Sequence, residues 1–157
     1  MDKIPMTREG LKTLEEELKR LKTEDRPAVI QAIATAREHG DLSENAEYDA
    51  AREKQGFIEG RVAELEAVIS RAEVIDTSGM TGDTVRFGAT VVLADDDTGK
   101  EVTYRIVGEH EADLEKGKIS ITSPLARALV GKSVDDSVEV TTPGGSKGYE
   151  ICEVSFD

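Results

Sequence analysis

Tryptophan is absent from this 157-residue chain, cysteine occurs once, proline four times, and aromatic residues make up only 4% of the sequence. The single cysteine, Cys152, excludes an internal disulfide, and its setting between Ile151 and Val154 reads as a small side chain buried in packing. With so few rings, any core must be built from Leu, Ile, Val and Ala, which suits paired helices and small sheets. No apolar run approaches the roughly 18 residues that a membrane span needs. Met1 to Pro5 also lack the apolar stretch of a secretory leader, so a cytoplasmic protein without membrane attachment is expected.

Positive charge is scarce as well. Twenty basic residues face 33 acidic ones, for a net charge of −13, whereas affinity for free nucleic acid rests on neutralising phosphates. The composition therefore argues against autonomous nucleic-acid binding. Residues 1–75 carry 12 basic and 17 acidic side chains and residues 76–157 carry 8 and 16, so both halves are acidic. Motifs of self-contained catalysis are missing too. There is no phosphate-cradling G-x-x-x-x-G-K-[ST], no G-x-G-x-x-G after a strand and no C-x-x-C, and the only imidazoles are His39 and His110. These gaps point away from an enzyme with its own zinc or Ser-His-Asp centre. His39, alone in an acidic segment, reads as a solvated side chain.

What the chain does have is periodicity, of two kinds. Up to residue 75 it is helical. Thr7 can cap a helix whose Leu11, Leu14, Leu18 and Leu21 repeat at 3-4-3 spacing, the seam of a coiled coil. Pro27 interrupts, and the apolar set resumes off that seam at Val29, Ile30 and Ile33, which predicts a kink or a restarted helix around Asp25 to Pro27. A returning helix carries Ala51, Gln55, Ile58, Val62, Leu65, Ile69 and Ala72 in 3-4 alternation. Two such segments joined by a short turn must run antiparallel, giving a hairpin with a long arm on the order of 45 Å at ~1.5 Å per residue.

After the connector Asp76 to Asp83 the pattern turns to short β-rich runs. Strands are expected at 84–87, 89–93, 101–107, 118–121, 137–140 and 148–154, with one short helix from Pro124 ended by Gly131. Asp95 to Gly99 resembles the opening of a calcium loop. Lys100, however, stands where that loop requires glycine, so the run reads as a hairpin turn. The expected architecture is α+β in two domains: residues 1–75 as a long antiparallel helical hairpin, and 76–157 as a small antiparallel sheet with one short helix.

The most acidic stretch lies at the bend of the hairpin, where Glu38, Asp41, Glu44, Glu47 and Asp49 crowd twelve residues. Their repulsion costs stability unless caps, helix dipoles or a cation offset it. Capping explains part of it: Gly40 suits the C′ position of the first helix, and Asp41 with Glu44 reads as a D-x-x-E capping box opening the second. Much of the acid remains unaccounted for. At this level a coiled-coil scaffold with a solvated tip and a carrier of carboxylates to a cation both stand.

The tip Arg37-Glu38-His39-Gly40-Asp41-Leu42-Ser43-Glu44-Asn45-Ala46-Glu47-Tyr48, followed by Ala50-Ala51-Arg52-Glu53 and Gln55-Gly56-Phe57, resembles the bacterial transcript cleavage factors of the Gre family. Ile4-Pro5-Met6-Thr7, Tyr104-Arg105-Ile106-Val107-Gly108, Ser123-Pro124-Leu125-Ala126-Arg127, Gly131-Lys132 and Thr142-Pro143-Gly144-Gly145 extend the resemblance over nearly the whole chain. It implies an FKBP-like fold for the second domain, which would dock at the rim of the secondary channel of bacterial RNA polymerase while the hairpin inserts toward the active centre. It further implies a monomeric accessory factor, not an enzyme itself, that stimulates cleavage of the 3′ end of backtracked nascent RNA.

In that reading Asp41 and Glu44 are the catalytic pair, holding a Mg²⁺ shared with the polymerase and not bound stably by the free protein. Mg²⁺ commonly takes one or two protein carboxylates together with phosphates and waters, and side chains three apart at a helix start face the same side. Arg37 and Arg52, brought near each other by an antiparallel hairpin, would guide the RNA; pairing with Glu38, Glu47 or Glu53 is the plainer alternative. Ser123 and Pro124 would contact the polymerase, the alternative being a turn and helix cap. Limited basic content beside the tip resembles the branch of the family that releases di- or trinucleotides. Prolyl isomerisation, raised by the FKBP-like resemblance, lacks the aromatic lining it needs. An inhibitor that enters the same channel without promoting cleavage, and the scaffold, remain as alternatives.

Overall fold

The computed structural model describes residues 2–40 and 45–156. They form two compact units, one of Leu11–Ala72 and a second of Lys3–Gly10 with Glu73–Asp157.

In the first unit, α1 (Arg8–Arg20) and α2 (Arg26–Arg37) are joined by one π-helical turn, Leu21–Asp25, and α3 (Ala46–Ser70) returns against them. The irregularity expected around Asp25 to Pro27 takes the form of this π turn, after which α2 starts at Arg26. Arg20, Asp25 and Arg26 all keep right-handed helical angles, and the Arg26 N–H reaches back to the Leu21 carbonyl, five residues earlier. Proline in a helix lacks a donor and its ring meets the carbonyl four residues before it, and a wider turn relieves both problems. The same turn absorbs the seam's slip. Eight residues separate Leu21 from Val29 where an unbroken heptad would take seven, and a π turn is a one-residue insertion.

Val29, Ile58 and Val62 are thereby buried together, with Leu18 and Leu21 against them. Leu65 is 1% exposed farther along α3. Charged forks flank the seam. Arg61 donates from Nε and Nη2 to the Glu17 carboxylate at 2.7 and 2.9 Å, and Arg26 grips Glu59 in the same bidentate way at 2.8 and 2.7 Å. The hydrogen bonds from Arg61 hold the Glu17 carboxyl below its usual range.

The second unit contains a five-stranded sheet in the order β5-β4-β3-β7-β6, made of β3 (Thr90–Asp95), β4 (Glu101–Val107), β5 (Lys118–Ser120), β6 (Ser137–Thr142) and β7 (Gly145–Ser155). The expected antiparallel pairing holds from β4 to β6, while β5 at the edge runs parallel to β4. The longer crossover that a parallel pair demands is the segment 108–117, which includes a 3-10 turn at Leu114–Lys116. Helix α4 (Pro124–Leu129) buries Ala126 and Leu129 in the core with Val91, Leu93, Ile106 and Ile151.

Two expectations fail in this unit. Residues 84–87 form no strand; only a bridge from Thr84 to Ser133 is present, and Val85 is buried by exchanging backbone bonds with Gly131 and Lys132. Cys152 is exposed. The register between β3 and β7 jumps from Val92 opposite Glu153 to Leu93 opposite Ile151, which leaves Cys152 as the extra residue of a bulge and turns it outward. Asp95 to Gly99 is the turn expected, closed by the Asp95 carboxylate, which accepts the Asp97 and Thr98 N–H groups at 2.8 and 3.3 Å.

Two short strands, β1 (Ile4–Met6) and β2 (Ala72–Val74), were not evident in the sequence. β1 leads to a node around Glu111, whose carboxylate accepts the backbone N–H of Thr7 at 3.1 Å and of Gly108 at 2.7 Å and also bonds the Thr7 hydroxyl. Thr7 Oγ1 in turn accepts the Gly10 N–H at 3.0 Å, capping α1 as expected. A Cβ at Gly108 would sit 2.3 Å from the Pro5 carbonyl oxygen, so only glycine fits there.

Replacing Glu111 with Ala should strand these N–H groups and cost about 1–3 kcal/mol in denaturant unfolding, whereas Cys152→Ser should leave the midpoint unchanged. Because the Glu17 carboxyl is depressed in the folded protein, its contribution to stability is complete above the unfolded value of about 4.3 and is lost as pH falls through the lower folded value. Thermal unfolding of Glu17→Gln against the native protein should therefore show a native advantage that shrinks on acidification below about pH 4.3.

Candidate functional site

The acidic tip is built from the way α2 stops and α3 starts. Glu38 is the C-cap of α2, and the N–H groups of Glu38, His39 and Gly40 donate to the carbonyls of Thr35, Ala36 and Arg37 at 3.1, 3.2 and 3.2 Å. Gly40 then takes φ +99°, a left-handed value that side-chain-bearing residues avoid, two residues past the C-cap rather than at C′. Asp41 and Glu44, the expected catalytic and metal-binding pair, lie outside the described residues.

On the far side of the turn Asn45 caps α3. Its Oδ1 accepts the Tyr48 N–H at 3.1 Å, and its Nδ2 donates to the Ala36 carbonyl of α2 at 2.7 Å. The capping box expected of Asp41 and Glu44 is therefore not what opens α3; the helix begins at Ala46. Asn45 was missed because D-x-x-E is the stronger pattern, although an asparagine directly before a helical run is a cap signal by itself. Glu47 and Asp49 occupy the first turn of α3, where the helix dipole favours negative charge. His39 Nε2 lies 3.4 Å from Glu47 Oε2, an exposed pair.

Of the two arginines of interest, one is placed by a ring contact and the other by its helix position. The Arg37 guanidinium lies 6.0 Å from the centroid of the Tyr48 ring, and Arg52 follows Tyr48 by one helical turn, on the same side of α3. Both arginines are exposed. Among the described residues neither forms an ion pair, so the plainer alternative of pairing with Glu38, Glu47 or Glu53 is not seen there. Nor do three His, Cys, Asp or Glu side chains come together among the described residues to hold a metal ion.

Ser123 and Pro124 stand elsewhere, in the second unit. Ser123 is the N-cap of α4, its Oγ accepting the Ala126 N–H at 3.2 Å and donating to the Ser120 carbonyl at 2.7 Å, with Pro124 opening the helix. The cap reading is thus realised, but the same two residues also line an apolar groove of about 480 Å³ with Tyr104, Leu114, Leu125 and Val140. Leu114 is 72% exposed at its rim. Tyr104 is the one aromatic among the described lining residues, a poor match to the ring-lined pocket that prolyl isomerisation uses.

The chain combines a helical hairpin, with acidic side chains in the first turn of its returning helix, and a small sheet unit bearing an apolar groove. Comparison with known proteins identifies the family. Residues 4–74 match the family described as "Transcription elongation factor, N-terminal", and residues 80–156 match "Transcription elongation factor, GreA/GreB, C-term". The chain belongs to the GreA/GreB family of transcription elongation factors.

It is 65% identical over 156 residues to the transcription elongation factor GreA of Rhodospirillum rubrum and 63% identical to that of Phenylobacterium zucineum, covering 99% of each chain in both cases. Among solved structures, GreA factor homolog 1 of Thermus thermophilus shares 26% identity with a TM-score of 0.45, over 98% of this chain and 99% of the other. Among the described residues no helix is long and apolar enough to cross a membrane.

Since Arg37 and Arg52 support no buried structure, replacing both with Ala should change unfolding free energy by no more than about 1 kcal/mol, the loss of one exposed contact with Tyr48. A larger loss in urea titration would show that they are structural.

Proposed function

We propose that this elongation factor binds bacterial RNA polymerase, carries its hairpin through the secondary channel and stimulates hydrolytic cleavage of backtracked RNA near the 3′ end. The observation that carries the reading is Asn45. It supplies the N-cap of α3, and Asp41 and Glu44 come just before it in a stretch already crowded with acid. Like charge accumulated in this way fits a tip meant to meet a cation or the water bound to it.

The donor chemistry fits magnesium. Asp41 and Glu44 offer hard carboxylate oxygens and too few of them to retain the ion alone, as expected for a site completed by the polymerase and the RNA. When bound, Mg²⁺ neutralises developing charge at the scissile phosphate and makes its water a stronger nucleophile. Asp41 and Glu44 would complete the coordination of the ion and would orient the attacking water by accepting its hydrogen bonds. Arg37 and Arg52 steer the extruded RNA by contacts to phosphate, a role supported by their exposure and by the lack of ion pairs between them and the described acids.

Ser123 and Pro124 serve in docking, supported by their place on the apolar groove. With net charge −13, the factor gains RNA only through the polymerase. Both relatives compared are GreA factors, and with so few basic side chains at the tip the released fragments are di- or trinucleotides.

A stalled, backtracked elongation complex with labelled RNA and Mg²⁺ tests this directly. The native protein should speed shortening from the 3′ end and release short fragments. Asp41→Asn/Glu44→Gln should bind polymerase equally and lose the stimulation at least tenfold. Undiminished RNA length with slowed nucleotide addition would instead identify an inhibitor, and stimulation retained by the double variant would remove these carboxylates from the mechanism.

A further inference from the structure

We infer that Asn45 is a positioning residue for stimulated cleavage, acting through the cross-turn bond by which its side-chain amide ties the start of α3 to the end of α2. The inference rests on the cleavage reading above and deepens it. An N-cap needs only an acceptor, and Asp or Ser would serve α3 as well as Asn. Asn45 does more: while Oδ1 accepts the Tyr48 N–H, Nδ2 donates to the Ala36 carbonyl, nine residues back, at 2.7 Å. That carbonyl already accepts the His39 N–H at 3.2 Å, so both of its lone pairs are engaged, and Ala36 itself is 1% exposed.

One amide group therefore satisfies an orphan donor at the start of one helix and takes the second lone pair of a carbonyl at the end of the other. Serine could not span the turn, and aspartate would set a carboxylate against a carbonyl oxygen. The bond fixes the separation of the two ends between which residues 41–44 must run, and a catalytic carboxylate misplaced by about 1 Å can cost on the order of a hundredfold in rate. Its position next to Glu44 in sequence makes Asn45 the first described group through which that turn is anchored.

The substitution Asn45→Asp keeps the cap acceptor and removes only the cross-turn donor. With the full-length protein on a backtracked complex, it should leave polymerase affinity unchanged and raise the Mg²⁺ concentration for half-maximal cleavage at least threefold, with a smaller loss at saturating Mg²⁺. Asn45→Ala, lacking both contacts, should lower the thermal midpoint as well, which Asn45→Asp should not. A native-like Mg²⁺ dependence in Asn45→Asp would overturn the inference. If the native protein itself stimulates no cleavage, the functional reading fails first. Amide exchange in the free protein still decides the geometry: protection of Glu38, His39 and Gly40 should fall at least threefold in Asn45→Asp while that of Tyr48 persists, and unchanged protection would refute the tie.

Discussion

Burial of Val29 against Ile58 and Val62 is the interaction on which the helical unit rests. Isolated helices of this length are marginal in water, and most of their stability comes from an apolar face packed on a neighbour. That face is narrow here, one row of aliphatic side chains on each arm, so its register leaves no room for slip. The bidentate Arg26–Glu59 and Arg61–Glu17 forks reinforce one register from its edges. Each is exposed enough to contribute little energy alone, but a fork has directional demands that a shifted pairing would not meet. The meeting of Asn45 with Ala36 requires the same registration of α2 and α3.

The sheet unit solves a different problem. It holds a fully buried aliphatic core with few rings, and it turns polar side chains to closing loops: Asp95 to its hairpin, Asp113 to the 3-10 turn, Ser123 to α4. Polar capping of this sort leaves the apolar groove beside α4 as the exposed aliphatic surface of the region, with Leu114 at its edge. The carboxylate of Glu111 plays the same part on a larger scale, since it satisfies donors from Thr7 and Gly108, a hundred residues apart in sequence.

Strong periodicity was the legible part of the sequence. The returning helix announced itself through Ala51, Ile58, Val62 and Leu65, all of them buried, and the main strands through alternating Val and Ile. Local rules misled where tertiary contacts outbid them. Pro27 signalled a kink or a restart, and the form it takes, one wide turn within a continuing helix, was not legible. Asp41 and Glu44 matched a stronger capping pattern than Asn45, which owes its role to a carbonyl on the other helix. Cys152 looked buried because its apolar neighbours Ile151 and Val154 were read without the bulge that sets it outward and that nothing in β7 marks. Strands β1 and β2 are three residues each, too short for any period to register. The family resemblance read from the tip agrees with the matches over both halves of the chain.

The π turn at Leu21–Asp25 carries a geometrical consequence. Each residue advances an α-helix by about 100° around its axis, so one extra residue taken up in a single wide turn re-phases all that follows. The side of α2 from which Arg37 emerges is therefore dialled by a count made some dozen residues earlier, next to a proline that discourages its loss. Direction at the bend is thus stored as a phase offset along the helix, and the local sequence of the bend need not encode it.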